Sequence, residues 1–405
     1  MKFIHLADAH LDSPFRGLSF LPSKAFKDIY QASDKSFKRI VDLALKEQVD
    51  LVLIAGDTFD SNHPSPRSQL FFAEQIKRLN DAEIQVVMIF GNHDHMRQED
   101  LLVTPSPFFK LLGNGEQVET VTLKAKSGFN YDVTGFSYLN NHILEDKLPE
   151  FPAKSANYAF GIMHAQEKTA EKSQNVYAPF DLQELKDLNY DYFALGHIHL
   201  RQNLSMNPLI NYPGNIQGRH INELGAKGCL LGEIDENTKQ TQTEFYETSP
   251  IIWQANEITF TKIVDKSELR KKLTDLGSIE QTTYFSLRLK GSQYLTDEEI
   301  ELVSDSDFWQ SLSADLPFNS QVVDVRFESS AELELNNSDR QAFDQAAQEI
   351  FTEDEFKKAI QDWAKKDALA VELAENKNFM DEVKNLTRFK LAKKLKGLTD
   401  ETETD

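Results

Sequence analysis

Five short apolar runs, each ending in side chains that bind divalent metals, constrain this chain more than any other feature. Lys2–Ala7 leads into Asp8-Ala9-His10, and Leu51–Ala55 into Gly56-Asp57-Thr58-Phe59-Asp60. Gln85–Phe90 ends at Gly91-Asn92-His93-Asp94, Tyr158–Met163 at His164, and Tyr192–Leu195 at Gly196-His197-Ile198-His199. The runs read as strands. Helical patterns lie between the first three. Lys24–Lys46 carries Phe26, Ile29, Phe37, Ile40, Val41 and Ala44; Ser68–Asn80 carries Leu70, Phe71, Ile76 and Leu79, with Ser68 placed to cap it. A further strand is expected at Lys227–Ile234, with antiparallel additions near Val118–Leu123, Tyr131–Gly135 and Glu244–Thr248. This alternation predicts a layered α/β domain, whose mostly parallel strands bring their C-terminal ends to one edge, where open sheets place ligand sites. Residues two apart in extended chain face the same way, so Asp8 with His10, and His197 with His199, are expected to point together.

Asp8, His10, Asp57, Asn92, His164, His197 and His199 make seven candidate ligands, more than one ion needs. Two ions sharing Asp57 accommodate them. Carboxylate, imidazole and amide without thiolate suit Mn²⁺, Fe or Zn and disfavour a structural zinc site. Two such ions, about 4 Å apart, turn water into hydroxide near neutral pH and clamp the oxygens of an in-line phosphoryl displacement. The residue types therefore point to phosphoester hydrolysis. His93 is assigned to the substrate side, stabilising the transition state or protonating the leaving oxygen, with Asp94 orienting its ring. His5 reads as a core histidine and His142 as solvated, while His63, His95 and His220 are candidates for substrate contact. No Walker-type phosphate loop is present, so ATP binding by this chain is not expected.

Composition sets the remaining bounds. A length of 405 residues suggests two or three domains, and Cys229 alone excludes an internal disulfide and fits a reducing compartment. No apolar stretch reaches the roughly 20 residues of a membrane helix, and the opening residues lack a signal-peptide core, so a cytoplasmic location without membrane contact is expected. The net charge of −21 opposes a protein that coats DNA by itself, because phosphate backbones are gripped by clustered Lys and Arg. Residues 1–250 read as the catalytic domain and 251–330 as a small α+β unit. Residues 331–405 read as a linker followed by helices and an acidic tail. Within the last part, Lys384, Arg388, Lys390, Lys393, Lys394 and Lys396 gather beside apolar Phe379, Val383 and Leu386. A helix packed on its own domain, a docking helix for a partner coiled coil, and a direct DNA contact all fit that pattern.

The motifs Asp-x-His, Gly-Asp-x-x-Asp, Gly-Asn-His-Asp, a lone histidine after a strand, and Gly-His-x-His resemble those of calcineurin-like metallophosphoesterases. Lys2 to Asp12, Pro64-Ser65-Pro66 and Tyr212-Pro213-Gly214-Asn215 narrow the resemblance to SbcD-type DNA repair nucleases, and most to the YhaO-type bacterial branch. It covers about residues 1–235. It implies a four-layer sandwich of two mixed sheets flanked by helices, with a capping, DNA-binding domain behind it. It further implies Mn²⁺-dependent exonuclease and endonuclease activity on DNA, a homodimer formed through the catalytic domain, and C-terminal helices docked on an SMC-like, SbcC-type ATPase. By position, Asp8, His10, Asp57, Asn92, His164, His197 and His199 resemble the family's metal ligands and His93 its transition-state histidine. Asp60 departs from the pattern, standing where archaeal and eukaryotic relatives commonly carry a second histidine, which leaves the balance of exonuclease and endonuclease activity open. A small-nucleotide phosphodiesterase or phosphatase with the same centre, and an inactive scaffold, are the alternatives.

Overall fold

In a computed structural model, residues 1–327 are described except 16, 114, 156 and 171–175, together with isolated positions at 345, 352, 358, 383 and 387. The linker and C-terminal helices expected within 331–405, including the segment Asp381–Lys396, lie outside the described residues apart from those isolated positions. The chain divides into two compact units: residues 1–254 with 280–284 and 317–320, and residues 255–279, 285–316 and 321 onward.

The first unit begins β1 (Lys2–Leu6), α1 (Ser23–Tyr30), α2 (Ala32–Glu47), β2 (Leu51–Ala55), α3 (Pro66–Asp81), β3 (Gln85–Ile89) and β4 (Phe109–Leu111). It continues β5 (Glu119–Lys124), β6 (Asn130–Gly135), β7 (Tyr158–His164), α4 (Leu182–Asp187) and β8 (Tyr192–Gly196). Then come β9 (Gln202–Met206), β10 (Leu209–Tyr212), β11 (Gly228–Ile234) and β12 (Thr241–Glu247). Two six-stranded mixed sheets result, ordered β12-β11-β1-β2-β3-β4 and β5-β6-β7-β8-β10-β9. β1 to β4 run parallel in the first sheet, as do β6, β7, β8 and β10 in the second.

Alternation along the strands builds the layers. Ile4, Leu6, Val52, Ile54, Val86 and Met88 pack on Phe37, Ile40, Val41, Phe72, Ile76 and Leu79 of α2 and α3. The alternate residues Phe3, Leu51, Leu53, Val87 and Ile89 meet Tyr131, Val133, Tyr158, Phe160, Ile162 and Tyr192 of the second sheet. The far face of that sheet, with Phe193, Leu195 and Ile210, is covered by Phe151, Phe180, Leu185 and Tyr190. Strands covered on both faces read as near-continuous apolar runs. His5 lies in the layer between the sheets, fully buried, with Nδ1 2.9 Å from the Tyr192 hydroxyl and Nε2 3.2 Å from the Leu195 carbonyl. Burial pulls its pKa down to about 3, so it serves as a neutral core residue.

Several local expectations are corrected. The single helix expected over Lys24–Lys46 is two, broken at Gln31 (φ −96°, ψ 5°). The buried stripe shifts there, from Ala25 and Ile29 to Ala32, Phe37, Ile40, Val41 and Ala44. Ser65, not Ser68, caps α3: its side chain accepts the Ser68 amide, Pro66 takes the first helical position where no N–H is needed, and Ser68 is buried inside the helix. The five ligand-bearing strands are not in one sheet. β1, β2 and β3 belong to the first and β7 and β8 to the second.

Three further strands, β13 (Ile252–Thr259), β14 (Thr283–Lys290) and β15 (Gln321–Phe327), form a sheet in that order. Helices α5 (Lys266–Thr274), α6 (Asp297–Val303) and α7 (Ser306–Ser313) accompany them. Ile258, Phe260, Leu269, Leu273, Phe285, Leu287, Val303 and Leu312 make a separate α+β core. Among the described residues no helix is long and apolar enough to cross a membrane.

Candidate metal centre

The loops leaving β1 and β2 run side by side. Asp8 N–H donates to Gly56 O (3.1 Å), His10 N–H to Asp57 O (3.0 Å), Leu11 N–H to Thr58 O (2.9 Å) and Asp60 N–H to Leu11 O (3.0 Å). Asp8, His10 and Asp57 take positive φ values of 52°, 43° and 50°, and His197 one of 97°. Such backbone costs non-glycine residues of order 1–3 kcal/mol each and persists only where surrounding structure enforces it. A pair of stapled turns, not the expected extended spacing, therefore brings Asp8 and His10 together. In Gly-His-x-His the two rings do not point together as expected: His197 turns toward Asn92, whereas His199 turns toward His10.

The β2 turn is joined to the β3 turn by Asp94, whose carboxylate accepts the Thr58 (2.6 Å) and Gly91 (2.7 Å) amides. β7 and β8 are brought against β2 by close backbone approach. His164 Nδ1 lies 3.0 Å from Ala55 O, and a Cβ on Gly196 would stand 1.9 Å from the same oxygen, so only glycine fits there. His197 N–H donates to both Asp8 carboxylate oxygens at 3.1 Å.

All seven candidate ligands converge, in two overlapping groups. Asp8, His10 and His199 form one, with His10 Nε2 3.0 Å from His199 Nε2 and His199 Nε2 3.8 Å from Asp8 Oδ1. Asp8, Asp57 and His164 form the other, which Asn92 and His197 join. Asn92 Oδ1 is 2.9 Å from His164 Nε2 and 3.1 Å from His197 Nδ1. Asp57 Oδ2 reaches both groups, 3.3 Å from His164 Nε2 and 3.8 Å from His10 Nε2.

Tautomers test whether this set fits metal. The Ala55 carbonyl can only accept, so His164 carries a proton on Nδ1, and its Nε2, which faces two further acceptors, Asn92 Oδ1 and Asp57 Oδ2, must hold either a second proton or a metal ion. Glu223 Oε1, 2.6 Å from His199 Nδ1, places a proton there likewise, and Asp60 Oδ1 lies 3.1 Å from His10 Nδ1, close enough for an ion contact but without hydrogen-bond geometry. His10 Nε2 and His199 Nε2 stand 3.0 Å apart, too close for two bare lone pairs. Facing lone pairs repel unless a proton or a metal ion lies among them; the raised pKa values of His164 and His199 put protons there in the metal-free chain, in the places that two divalent ions would take. The donor set fits two divalent ions.

Electrostatics agree. Burial, then the Arg219 charge, pulls His10 down to about 3; burial, then His164, does the same to His197, so both are neutral donors. Burial opposes charge on His164, yet Asp57 and then Asp8 raise its pKa to about 9, a field that attracts positive charge. Burial also opposes charge on Asp57, but the imidazoles of His164 and His10 hold it below the usual carboxylate range. Burial, and then Asp57, push Asp94 up to about 7.

His93 is exposed at the rim, its ring 5.0 Å from that of His10 and its Nδ1 3.3 Å from Asp60 O. Its backbone N–H donates to Asp57 Oδ1 at 2.9 Å. Asp94 does not orient this ring, contrary to expectation, because both its oxygens are taken by backbone amides. Asp60, which the sequence places in the Gly-Asp-x-x-Asp motif without making it a ligand, faces His10 and forms an ion pair with Arg219, and Glu223, which sequence reading misses, holds His199. Of the weaker histidine candidates, His95 bonds Asn92 O (2.9 Å) and Asn62 (3.1 Å), His63 is exposed, and His220 lies 3.3 Å from Glu223. Cys229 is buried and its thiol is pushed up to about 12.

A family model for calcineurin-like phosphoesterases matches residues 1–201. The chain is 35% identical over 299 residues to "Uncharacterized metallophosphoesterase YhaO" of Bacillus subtilis, a match covering 72% of this chain and 69% of that one. It is 25% identical over 248 residues to "DNA double-strand break repair protein Mre11" of Thermoplasma acidophilum, covering 57% and 63% of the two chains. It is 24% identical over 331 residues to the SbcD component of nuclease SbcCD from Staphylococcus epidermidis, covering 75% and 82%. With its two mixed sheets and a metal-fitting cluster of carboxylates, imidazoles and amide, the chain belongs to the calcineurin-like metallophosphoesterase family.

Proposed function

We propose that this chain is a DNA exonuclease, with endonuclease activity possible at the same centre, working with two divalent ions of which Mn²⁺ is the first candidate. The observation that carries the reading is the pair of overlapping ligand clusters that share Asp8 and Asp57. Two ions bound there would supply an activated hydroxide and charge compensation for an in-line displacement at phosphorus. Asp8, His10, Asp57, Asn92, His164, His197 and His199 would hold them. His93, exposed beside the cluster, would meet the leaving oxygen or the charge developing on the phosphoryl group. A cleft of about 850 Å³ next to the His93 loop is lined by Asn62, His63, His95, Arg97, Asn140 and Asn141, which supply hydrogen-bond donors and a guanidinium in a chain of net charge −21. Relatives named as a nuclease component and a double-strand break repair protein favour DNA over a small nucleotide.

The test is cleavage of an end-labelled linear duplex by the full-length chain with Mn²⁺. Stepwise release of nucleotides, abolished by EDTA and restored by Mn²⁺, is expected. Hydrolysis confined to a cyclic nucleotide or a chromogenic monoester would refute a DNA substrate.

The partners belong to the same proposal: a homodimer formed through the nuclease domain, and an SMC-like ATPase bound through the region that contains Asp381–Lys396, in a cytoplasmic complex. The ATPase would supply the basic grip on DNA that a net charge of −21 does not favour. A chain lacking residues 340–405 is expected to keep activity on short linear duplexes and to lose co-purification with the ATPase. Retained co-purification would place docking elsewhere.

A further inference from the structure

The two metal positions are backed differently. Behind His164 stands a backbone carbonyl, Ala55 O at 3.0 Å, and behind His197 the face of Tyr177, with ring centroids 4.3 Å apart. Behind His10 and His199 stand carboxylates, Asp60 and Glu223, at 3.1 and 2.6 Å from the Nδ1 atoms.

These two acids are joined. Arg219 forms an ion pair with Asp60 through its guanidinium and donates its backbone N–H to Glu223 Oε2 at 2.6 Å; its Nε donates to Ser13 Oγ at 3.2 Å. Glu223, only 8% exposed, also accepts from Asn215 Nδ2 at 2.7 Å, and Lys227 Nζ donates to His199 O at 2.9 Å. Residues 215–227, an irregular stretch between β10 and β11, thus form a charged layer behind one metal position, and behind the other the described residues show a backbone carbonyl and the Tyr177 ring.

We propose that Glu223, through this layer with Arg219 and Asp60, is the positioning residue for the ion held by His10 and His199, and that the two metal positions are therefore unequal in affinity and in dependence on residues 215–227. This rests on the dinuclear reading above. A carboxylate behind an imidazole fixes its tautomer and direction and strengthens it as a donor, and losing such a partner costs roughly 10- to 100-fold in metal affinity. A backbone carbonyl makes the same bond without the negative charge and cannot be removed by side-chain substitution.

The experiment is a Mn²⁺ titration of the full-length apo chain by calorimetry, for the native protein and for Glu223→Gln, with Asp60→Asn as a second variant and circular dichroism to verify folding. The native chain is expected to bind two ions. In Glu223→Gln one step is expected to weaken roughly 10- to 100-fold while the other keeps its affinity, and Asp60→Asn should weaken the same step. Both isotherms unchanged, or both steps weakened alike, would overturn the proposal while leaving the dinuclear reading intact. A native chain binding fewer than two ions would overturn that reading and this inference with it.

Discussion

Replacing Asp57 with Asn is expected to lower turnover by about 10³-fold or more, roughly 4 kcal/mol of transition-state stabilisation, and to leave at most one Mn²⁺ per chain. Asp57, like Asp8, lies within reach of both groups of nitrogens, His164 at 3.3 Å and His10 at 3.8 Å. Asparagine has the same shape and can still accept the His93 N–H that Oδ1 now takes at 2.9 Å, so the turn survives while the shared negative charge is lost. The backbone should tolerate the change, since Asp57 sits at φ 50°, where asparagine is among the most tolerant residues. The charge is another matter: against burial, His164 and His10 hold the Asp57 carboxyl below its usual range, so its ionised form stabilises the fold near neutral pH. Melting of the metal-free variant is therefore expected below the native temperature, with the fold kept. Metal content by elemental analysis, turnover on a linear duplex and a thermal melt check the three parts. Two ions retained with native turnover would remove Asp57 from the centre.

What the sequence makes legible divides along physical lines. Local patterns suffice for the strands: β2 spans Leu51–Ala55 as expected, and the others end within a few residues of their expected bounds. Strand ends are where irregular backbone begins, so Asp8, Asp57, Asn92, His164 and His197 can be placed at one locus before the sheets are known. The helix break at Gln31 is hidden because α1 and α2 each keep helical spacing and differ only in the phase of their buried stripe. β9 and β10 escape a sequence reading because Gln202–Met206 is half-polar and Leu209–Tyr212 is four residues long. Glu223 and Arg219 are illegible for another reason. They lie in irregular chain, and their partners His199 and Asp60 are brought to them by tertiary structure alone. The acidity of Glu223 holds a signal only in retrospect: a buried carboxylate needs donors, and Asn215, Arg219 and His199 supply them. The sequence pairs Asp94 with its neighbour His93, but adjacent side chains at a turn diverge, and its carboxylate goes to the amides that the β2 and β3 turns leave open.

His93→Gln is expected to lower turnover on DNA by about 10²- to 10⁴-fold while both ions remain bound. The metal cluster should persist because His93 supports it through its backbone N–H to Asp57, which any residue but proline provides. The ring is exposed at the rim, near enough to His10 and Asp60 that the three could share an ion, and its hydrogen-bond contact among the described residues is Nδ1 to Asp60 O at 3.3 Å. With Nδ1 turned to that carbonyl, Nε2 is the nitrogen left for substrate, and the leaving group reveals whether it delivers a proton. A DNA 3′- or 5′-oxygen leaves as an alkoxide and needs a proton; p-nitrophenolate leaves without one. If His93 is the general acid, the deficit of His93→Gln should be large on DNA and shrink toward parity on bis-p-nitrophenyl phosphate. Equal deficits on both would make His93 a stabiliser of phosphoryl charge instead of a proton donor. Loss of both ions in the variant would show that the ring, and not only the backbone of residue 93, belongs to the metal centre.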